Sequence, residues 1–230
     1  MKSTGWKTQF PAPAQSAGAP VGNDWCGFSA GVHGGGAWGS SSWTDLGAGY
    51  VGSHSPSGAL GGLQVGFDQQ VGTWVWGLRA DASASGISGS HLDVIFTDGA
   101  APEYDRGKID YTGTITARLG YTFGPALVSV RAGAVWAHAR YSLEGYYAPG
   151  LEFALRNATR WGWTAGIGVD YGFAGRWAAF FEYDYLGLGT YRANLSCITV
   201  HACSFLGTGT ISIDVRENFN VLKAGVGYRF

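Results

Sequence analysis

The sequence predicts an all-β fold, an eight-stranded antiparallel up-and-down transmembrane β-barrel with short periplasmic turns and long extracellular loops. Apolar residues alternate with polar or small ones along many segments, as in the closing run VLKAGVGYRF, and a period of two is typical of a β-strand. Charged residues are only 13% of the chain, against roughly 25% in soluble proteins. No run of about 18 apolar residues offers a transmembrane helix, so contact with lipid must be spread over alternating strands.

Eight strands follow in order, and four of them end on a similar aromatic motif. The first is WCGFSAGVHGGGAWG, residues 25–39; those that follow contain LQVGFDQ, WVWGLRADA, TGTITARLGYTFG, LVSVRAGAVWA, TRWGWTAGIGVDYGF, WAAFFEYDY and VLKAGVGYRF. The motif recurs at intervals of roughly 50 to 57 residues, about the length of a hairpin with its loop. Connections alternate between short turns and long polar stretches near residues 41–58, 83–109, 142–158 and 188–212, as outer-membrane barrels require.

Strand parity assigns one face of every strand to lipid, and that face carries no charge. The outward set is Cys26, Phe28, Ala30, Val32, Leu63, Val65, Phe67, Trp74, Trp76, Leu78, Ala80, Ile115, Ala117, Leu119, Tyr121, Val128, Val130, Ala132, Ala134, Trp136, Trp161, Trp163, Ala165, Ile167, Val169, Tyr171, Trp177, Ala179, Phe181, Tyr183, Leu222, Ala224, Val226, Tyr228 and Phe230. Lys or Arg at the bilayer midplane costs roughly 2–4 kcal/mol, so a face that contacts lipid is expected to carry no charged residues.

The opposite face points into the lumen and carries charges of both signs. The predicted lumen network is Asp68, Arg79, Asp81, Arg118, Arg131, Asp170, Glu182, Asp184 and Lys223. Aromatic belts are predicted near both strand ends, with Trp43, Trp136 and Trp161 towards the loops and Phe123, Phe173, Trp177 and Phe230 towards the turns. The alternative is a soluble lipocalin-like barrel with inverted parity, whose exposed face would then carry almost all the charges.

These segments carry a family resemblance over roughly residues 25–230. They resemble small outer-membrane β-barrel proteins of the porin-opacity and outer-membrane-immunogenic-protein type, related in architecture to the OmpA transmembrane domain. The resemblance implies an abundant envelope protein of the bacterial outer membrane, among lipid and lipopolysaccharide, with surface-exposed loops. The end of the chain also resembles the signal read by the barrel-assembly machinery, here Lys223, Gly225, Tyr228 and Phe230.

Residues 1–24 are expected to be a flexible Pro/Ala-rich segment ahead of a barrel over residues 25–230. The start, MKSTGWKTQF, has no apolar region of the kind found in secretory signals, although the resemblance leads us to expect one. Cys197 and Cys203 share the last long loop and are expected to form a disulfide outside the cell, or else to stay as two free thiols. Cys26 is left over, and its alternation places it towards lipid.

The sequence favours a structural and surface-interaction role over conduction or catalysis. Side chains fill the interior of an eight-stranded barrel, so the inward charges are expected to form a plug; a narrow ion-selective pore is the alternative. His54 and His91 fall in predicted loops, His138 at the outer interface and His33 in the lumen, so no catalytic group is assembled. No cofactor, metal or nucleic-acid partner is indicated. The long second loop is expected to meet a host ligand, a neighbouring barrel or another envelope protein; the alternative is that it packs over the mouth of its own barrel.

Overall fold

The computed structural model describes residues 24–46, 49–92, 103–145, 152–197 and 210–230. The described chain forms strands β1 (Gly27–Asp45), β2 (Gly49–His54), β3 (Ser57–Val71), β4 (Trp74–Leu92), β5 (Glu103–Phe123), β6 (Ala126–Gly145), β7 (Glu152–Ala174), β8 (Trp177–Cys197) and β9 (Thr210–Arg229). No helix in these ranges is long and apolar enough to span a membrane. The N-terminal segment expected to be flexible lies outside the described residues, apart from Asp24.

Eight of the strands close into a ring, which confirms the predicted barrel. Neighbouring strands pair antiparallel in the order β1, β3, β4 and onward to β9, and β9 returns to pair with β1 from Ser29–Arg229 to Asp45–Ile213. The extra strand, β2, pairs only with the upper end of β1, where Ser41 lies opposite His54. The prediction of eight strands therefore describes the ring and misses a short hairpin at its rim.

Two-residue turns join the strands at one end of the ring. They begin at Gly72, Gly124 and Gly175, whose φ angles are 62, 60 and 57°, and glycine adopts this left-handed conformation without steric cost. At the other end, residues 47–48, 93–102, 146–151 and 198–209 lie outside the described residues, whereas the two-residue β2–β3 link is described. The alternation of short turns and long loops is as predicted.

The strands are longer than the sequence indicated, because much of each predicted loop is strand. A membrane-spanning strand needs about 9–11 residues, whereas β7 contains 23. Outward positions near the turns are apolar, while beyond Tyr111 and Trp161 they become polar, as at Lys108 and Thr159. The barrel thus continues past the bilayer on the loop side. The sequence analysis assigned these polar residues to loops, because strand residues that face water are of the same types as loop residues.

The inner and outer faces follow the predicted parity: no residue of the outward set is buried. Exposed aromatics form one belt near the turns, including Trp74 and Phe173, and another at the level of Tyr111 and Trp161. Trp43 was wrongly assigned to the second belt. It is fully buried inside the barrel, because it has the same parity on β1 as the inward residue His33.

Three layers of side chains fill the interior. Near the turns, Trp25 packs with a small apolar cluster of Val75, Leu127 and Ala178. Charged residues occupy the middle of the barrel. In the part that extends beyond the bilayer lies the largest apolar cluster, which includes Trp43, Tyr141 and Phe219. The charged layer is therefore enclosed by apolar packing at both ends.

Candidate functional site

The structure places all nine residues of the predicted lumen network inside the barrel. They come from seven strands, β3 to β9. On each of these strands the charged residue lies at an inward-facing position near the middle of the barrel. Eight are buried and Asp81 is partly buried. Their side chains meet in one layer and pair with one another, as the following contacts describe.

Arg118 anchors the turn-side end of this layer. Its Nε and one terminal nitrogen donate to the two carboxylate oxygens of Asp68 at 2.7 and 2.5 Å. The other terminal nitrogen donates to Asp170 at 2.9 Å. This forked geometry is the strong form of an arginine–carboxylate pair.

Glu182 lies at the centre of the layer. Arg79 donates to Asp170 at 3.3 Å and to Glu182 at 2.7 Å, so it connects the first cluster to the second. Arg131 lies 2.6 Å from the same Glu182 oxygen and donates to both oxygens of Asp184 at 2.7 Å. One carboxylate is thereby shared by two guanidinium groups.

Lys223 completes the layer. Its Nζ lies 3.2 Å from Asp184, 3.4 Å from Asp81 and 3.8 Å from Glu182. The Thr114 hydroxyl donates a short hydrogen bond to Asp81. From Asp68 to Asp81, the nine groups form a chain in which each positive charge lies between negative ones.

Little free space borders the turn-side end of this chain of charges. A cavity of about 20 Å³ borders Asp68, Arg79 and Arg118, room for about one water molecule. Glycines in the barrel wall leave room beside the backbone that a side chain or a water molecule can occupy. At Gly77 and Gly166 that space is taken by carboxylates, since an added Cβ would lie 2.1 Å from an oxygen of Asp68 or Asp184 respectively.

His33 lies in the lumen but does not join the chain. It is buried, and its Nε2 lies 2.7 Å from the Ser83 hydroxyl. It therefore bonds to β4, two strands along the ring from β1, above the ion pairs. His138 is at the outer interface as expected, with Nδ1 3.5 Å from Thr159 Oγ1.

A second polar cluster, which the sequence analysis missed, lies in the extension beyond the bilayer. Arg160 bonds to Glu217, and the Tyr141 hydroxyl donates to the same carboxylate at 2.9 Å. Ser41 donates to Glu217 at 3.2 Å, and Trp43 Nε1 donates to Ser41 at 2.9 Å. The parity rule would have found both charged residues, because Arg160 alternates with outward Trp161 and Glu217 shares the parity of Lys223.

Arg160 also closes a gap in the wall. The β7–β8 ladder is interrupted between the pairs Leu155–Ser196 and Trp163–Gly187. There the Arg160 guanidinium donates to the carbonyls of Leu188 and Gly189 at 3.1 and 2.8 Å. A side chain thus satisfies carbonyl groups that a neighbouring strand would otherwise bind.

The prediction that His54 and His91 are solvated loop residues is wrong. Their rings stack with centroids 5.1 Å apart, their Nδ1 atoms are 2.9 Å apart, and His91 Nε2 lies 3.1 Å from Asp105. Burial raises the pKa of Asp105. Burial, and then the positive charge of His91, lower the pKa of His54 to about 4. Trp43 packs edge-on against His91, which holds the group inside the rim.

The assembly-signal residues and the cysteines are distributed as follows. Lys223 and Gly225 face inwards, whereas Tyr228 and Phe230 face outwards with ring centroids 5.3 Å apart. Cys26 is exposed and has a free thiol. Cys203 and the side chain of Cys197 lie outside the described residues, so their disulfide stays a prediction.

A closed ring with a lipid-facing apolar wall defines an outer-membrane β-barrel protein. The family model described as outer membrane protein beta-barrel domain matches residues 10–230, and the chain belongs to that family. It is 29% identical over 179 residues to the 31 kDa outer-membrane immunogenic protein of Brucella melitensis, covering 75% of this chain and 67% of that protein. The protein is therefore located in the bacterial outer membrane.

Solved structures share the fold. The outer membrane protein OprG of Pseudomonas aeruginosa superposes with a TM-score of 0.59 at 18% identity, covering 91% of this chain and 98% of that one. The outer membrane protease OmpT of Escherichia coli superposes with a TM-score of 0.52 at 12% identity, covering 89% and 97%. At these identities the likeness concerns the fold alone.

Proposed function

We propose that the protein is a closed barrel that holds a rigid platform above the outer membrane for contacts at the cell surface. The observation that carries this proposal is the chain of nine alternating charges across the lumen, from Asp68 to Asp81. A permeating ion would have to displace these contacts. Separating one partner of a buried pair typically costs about 3–5 kcal/mol, so the closed state dominates.

The packed extension supports the platform. Tight packing of Trp43, Tyr141 and Phe219 continues the barrel core past the bilayer, and the Arg160–Glu217 cluster holds four strands together. A solid base of this kind fixes the strand ends from which the loops leave the barrel, which favours recognition because less conformational freedom of the base is lost on binding.

The partners follow from location. Lipid and lipopolysaccharide surround the wall of any outer-membrane barrel, and we infer two further classes of partner. The relative in Brucella melitensis is named an immunogenic protein, which supports exposure of the loops to an envelope protein or host ligand. The β9 residues Lys223, Gly225, Tyr228 and Phe230 support recognition by the barrel-assembly machinery during insertion.

We infer that the role is not enzymatic. OmpT is a protease on a similar fold, but the fold alone does not carry its activity to this chain. The group of His54, His91 and Asp105 is enclosed within the rim rather than open to a substrate. In the described part of the chain, no three His, Cys, Asp or Glu residues could hold a metal ion. A folded sample should therefore leave a fluorogenic peptide library uncleaved, and specific cleavage would refute the inference.

A narrow pore is the second candidate. The small cavity beside Asp68, Arg79 and Arg118 favours it, because a water file could begin there if the ion pairs rearranged. Such a pore would conduct ions only when the charged layer opens. Ion conductance therefore distinguishes it from the closed barrel.

Single-channel recording in a planar bilayer separates the two functions. The folded wild-type protein should be silent, whereas Glu182→Ala, which removes the shared carboxylate, should produce brief openings. The control is Asp214→Asn, which breaks the exposed Arg192–Asp214 pair outside the lumen and should stay silent. Stable unitary steps from the wild type, altered by Glu182→Ala, would refute the closed barrel and support the pore.

A further inference from the structure

The turn-side mouth of the barrel is closed by a side chain that does not belong to the ring of strands. Trp25 is 1% exposed. The small apolar cluster that it completes also contains Val75, Leu127 and Ala178, each of which lies within a strand that pairs with both neighbours. Trp25 instead precedes β1, whose pairing with β3 begins at Gly27. One member of this apolar layer is thus held independently of the barrel wall.

The chain bends at Gly27, between Trp25 and the rest of β1. The φ angle of Gly27 is 110°, in the left-handed region that glycine adopts without steric cost. A side chain would also be crowded there, because an added Cβ would lie 3.1 Å from the backbone oxygen of Phe230. If Trp25 left the lumen, this φ angle would be free to change. Gly27 therefore has the conformational freedom that a hinge needs.

Two side chains at the turns contact Trp25. The Gln70 amide oxygen accepts a hydrogen bond from the Trp25 backbone N–H at 2.9 Å, and the Gln70 amide nitrogen donates to the Gly72 carbonyl at 2.9 Å. The Arg229 guanidinium lies over the indole ring, 4.3 Å from its centroid, and donates to the Gly175 carbonyl at 3.3 Å. Both contacts are made by side chains anchored to turns. They can therefore break while every strand pair of the ring stays formed.

Closure of the mouth buries polar atoms that the protein does not satisfy. Among the residues that the structure describes, none accepts a hydrogen bond from the Trp25 indole Nε1 or from Nε and Nη1 of Arg229. Burying a donor without a protein acceptor costs free energy, and water outside the barrel would satisfy the same donor. This cost opposes the apolar burial and the cation–π contact of the closed position, so it lowers the free energy of opening.

Trp25 also borders the cavity of about 20 Å³ that lies beside Asp68 and Arg118. Its departure would join this cavity to the periplasm and bring water to the turn-side end of the charged layer. The other end of the layer is covered by the largest apolar cluster, where Tyr141 and Phe219 lie within paired strands. The two closures of the lumen therefore differ in how they are attached.

We propose that Trp25 is a detachable stopper, which turns about Gly27 and opens the turn-side end of the lumen to periplasmic water while the barrel stays folded. Residues 1–24 join the barrel through Trp25, so a pull on them is transmitted to the stopper. The proposal concerns the turn-side end alone. It is independent of whether the charged layer conducts ions.

Thiol modification of the full-length protein in detergent tests the proposal. The background variant Cys26→Ser/Cys197→Ser/Cys203→Ser removes every native thiol. In this background, Ala178→Cys probes the cavity beside Trp25, and Ala139→Cys probes the largest apolar cluster at the other end of the barrel. Reaction of each thiol with a methanethiosulfonate reagent is followed by mass spectrometry of the intact protein at a series of low urea concentrations.

A detachable stopper predicts different kinetics at the two probes. Ala178→Cys should react at a rate nearly independent of urea, because local opening exposes little surface. Ala139→Cys should react at a rate that rises with urea, because global unfolding is needed to expose it. Ile87→Ala leaves a cavity in the largest apolar cluster. It should accelerate the Ala139→Cys reaction at least about 30-fold and leave the Ala178→Cys reaction unchanged.

Substitutions at the hinge and at the indole contact should shift the opening equilibrium. Gly27→Ala strains the closed backbone and should accelerate the Ala178→Cys reaction about tenfold. Arg229→Gln removes the cation over the indole and should accelerate it about 5-fold to 30-fold. Heat-modified mobility on a gel verifies that each variant is folded. The same urea dependence at both probes, acceleration of Ala178→Cys by Ile87→Ala, or an unchanged Ala178→Cys rate in Gly27→Ala and Arg229→Gln would overturn the proposal.

Discussion

Replacing Glu182 with Gln should cost the barrel more stability than any exposed charge substitution. The carboxylate contacts Arg79 at 2.7 Å and Arg131 at 2.6 Å, with Lys223 at 3.8 Å, and the residue is buried. Glutamine keeps the shape and one acceptor oxygen but removes the charge that balances these cations. Breaking a buried pair in this way typically costs about 3–5 kcal/mol.

The assay is equilibrium unfolding in urea with the barrel reconstituted in lipid vesicles, followed by tryptophan fluorescence. At about 1.4 kcal/mol per tenfold change, the expected loss corresponds to a decrease in the folding equilibrium constant of roughly 100-fold to 4,000-fold. The slope of the free energy of unfolding against urea should stay the same, because the exposed surface does not change.

Two further variants make this prediction specific. Asp214→Asn removes an exposed carboxylate of similar pairing and should leave the unfolding midpoint nearly unchanged. Glu182→Gln/Arg79→Gln removes a charge of each sign and should recover part of the loss. Equal midpoints for wild type and Glu182→Gln would refute the view that the ion-pair chain stabilises the closed lumen.

Two more predictions concern the wall and the rim. Ala132→Arg places a charge on the lipid face and should lower the free energy of folding into vesicles by about 2–4 kcal/mol, whereas Ala132→Leu should be neutral; equal insertion of both would contradict the parity assignment. At the rim, the folded-state pKa of His54 is about 4, below its usual value of 6.5, so stability present at pH 7 should be lost as pH falls from about 6.5 towards 4. Amide exchange in β2, corrected for intrinsic rates, should rise over that range in wild type and not in His54→Phe; unchanged protection would count against the stacked His54–His91 pair.

Alternation in the sequence was sufficient to determine the ring and its inner and outer faces. Lipid forbids charge, so the outward set from Cys26 to Phe230 could be recognised without any knowledge of contacts. The same rule placed Arg79 and Glu182 in the lumen, and the three glycine-bearing turns between long strands oriented the barrel. These features depend on local periodicity, which a single strand already displays.

Only the closed barrel determines which charged residues in the lumen form ion pairs with one another. Asp68 and Arg118 are 50 residues apart, and they meet because strand tilt and stagger bring their side chains to one height. The sequence also did not show that the strands continue beyond the bilayer, because polar residues that face water are compatible with either a strand or a loop. For that reason Trp43 was assigned to an aromatic belt and His54 to a loop. Once β1 and β4 continue above the membrane, inward parity carries Trp43 and His91 into a packed interior, and β2 folds back to bring His54 against them.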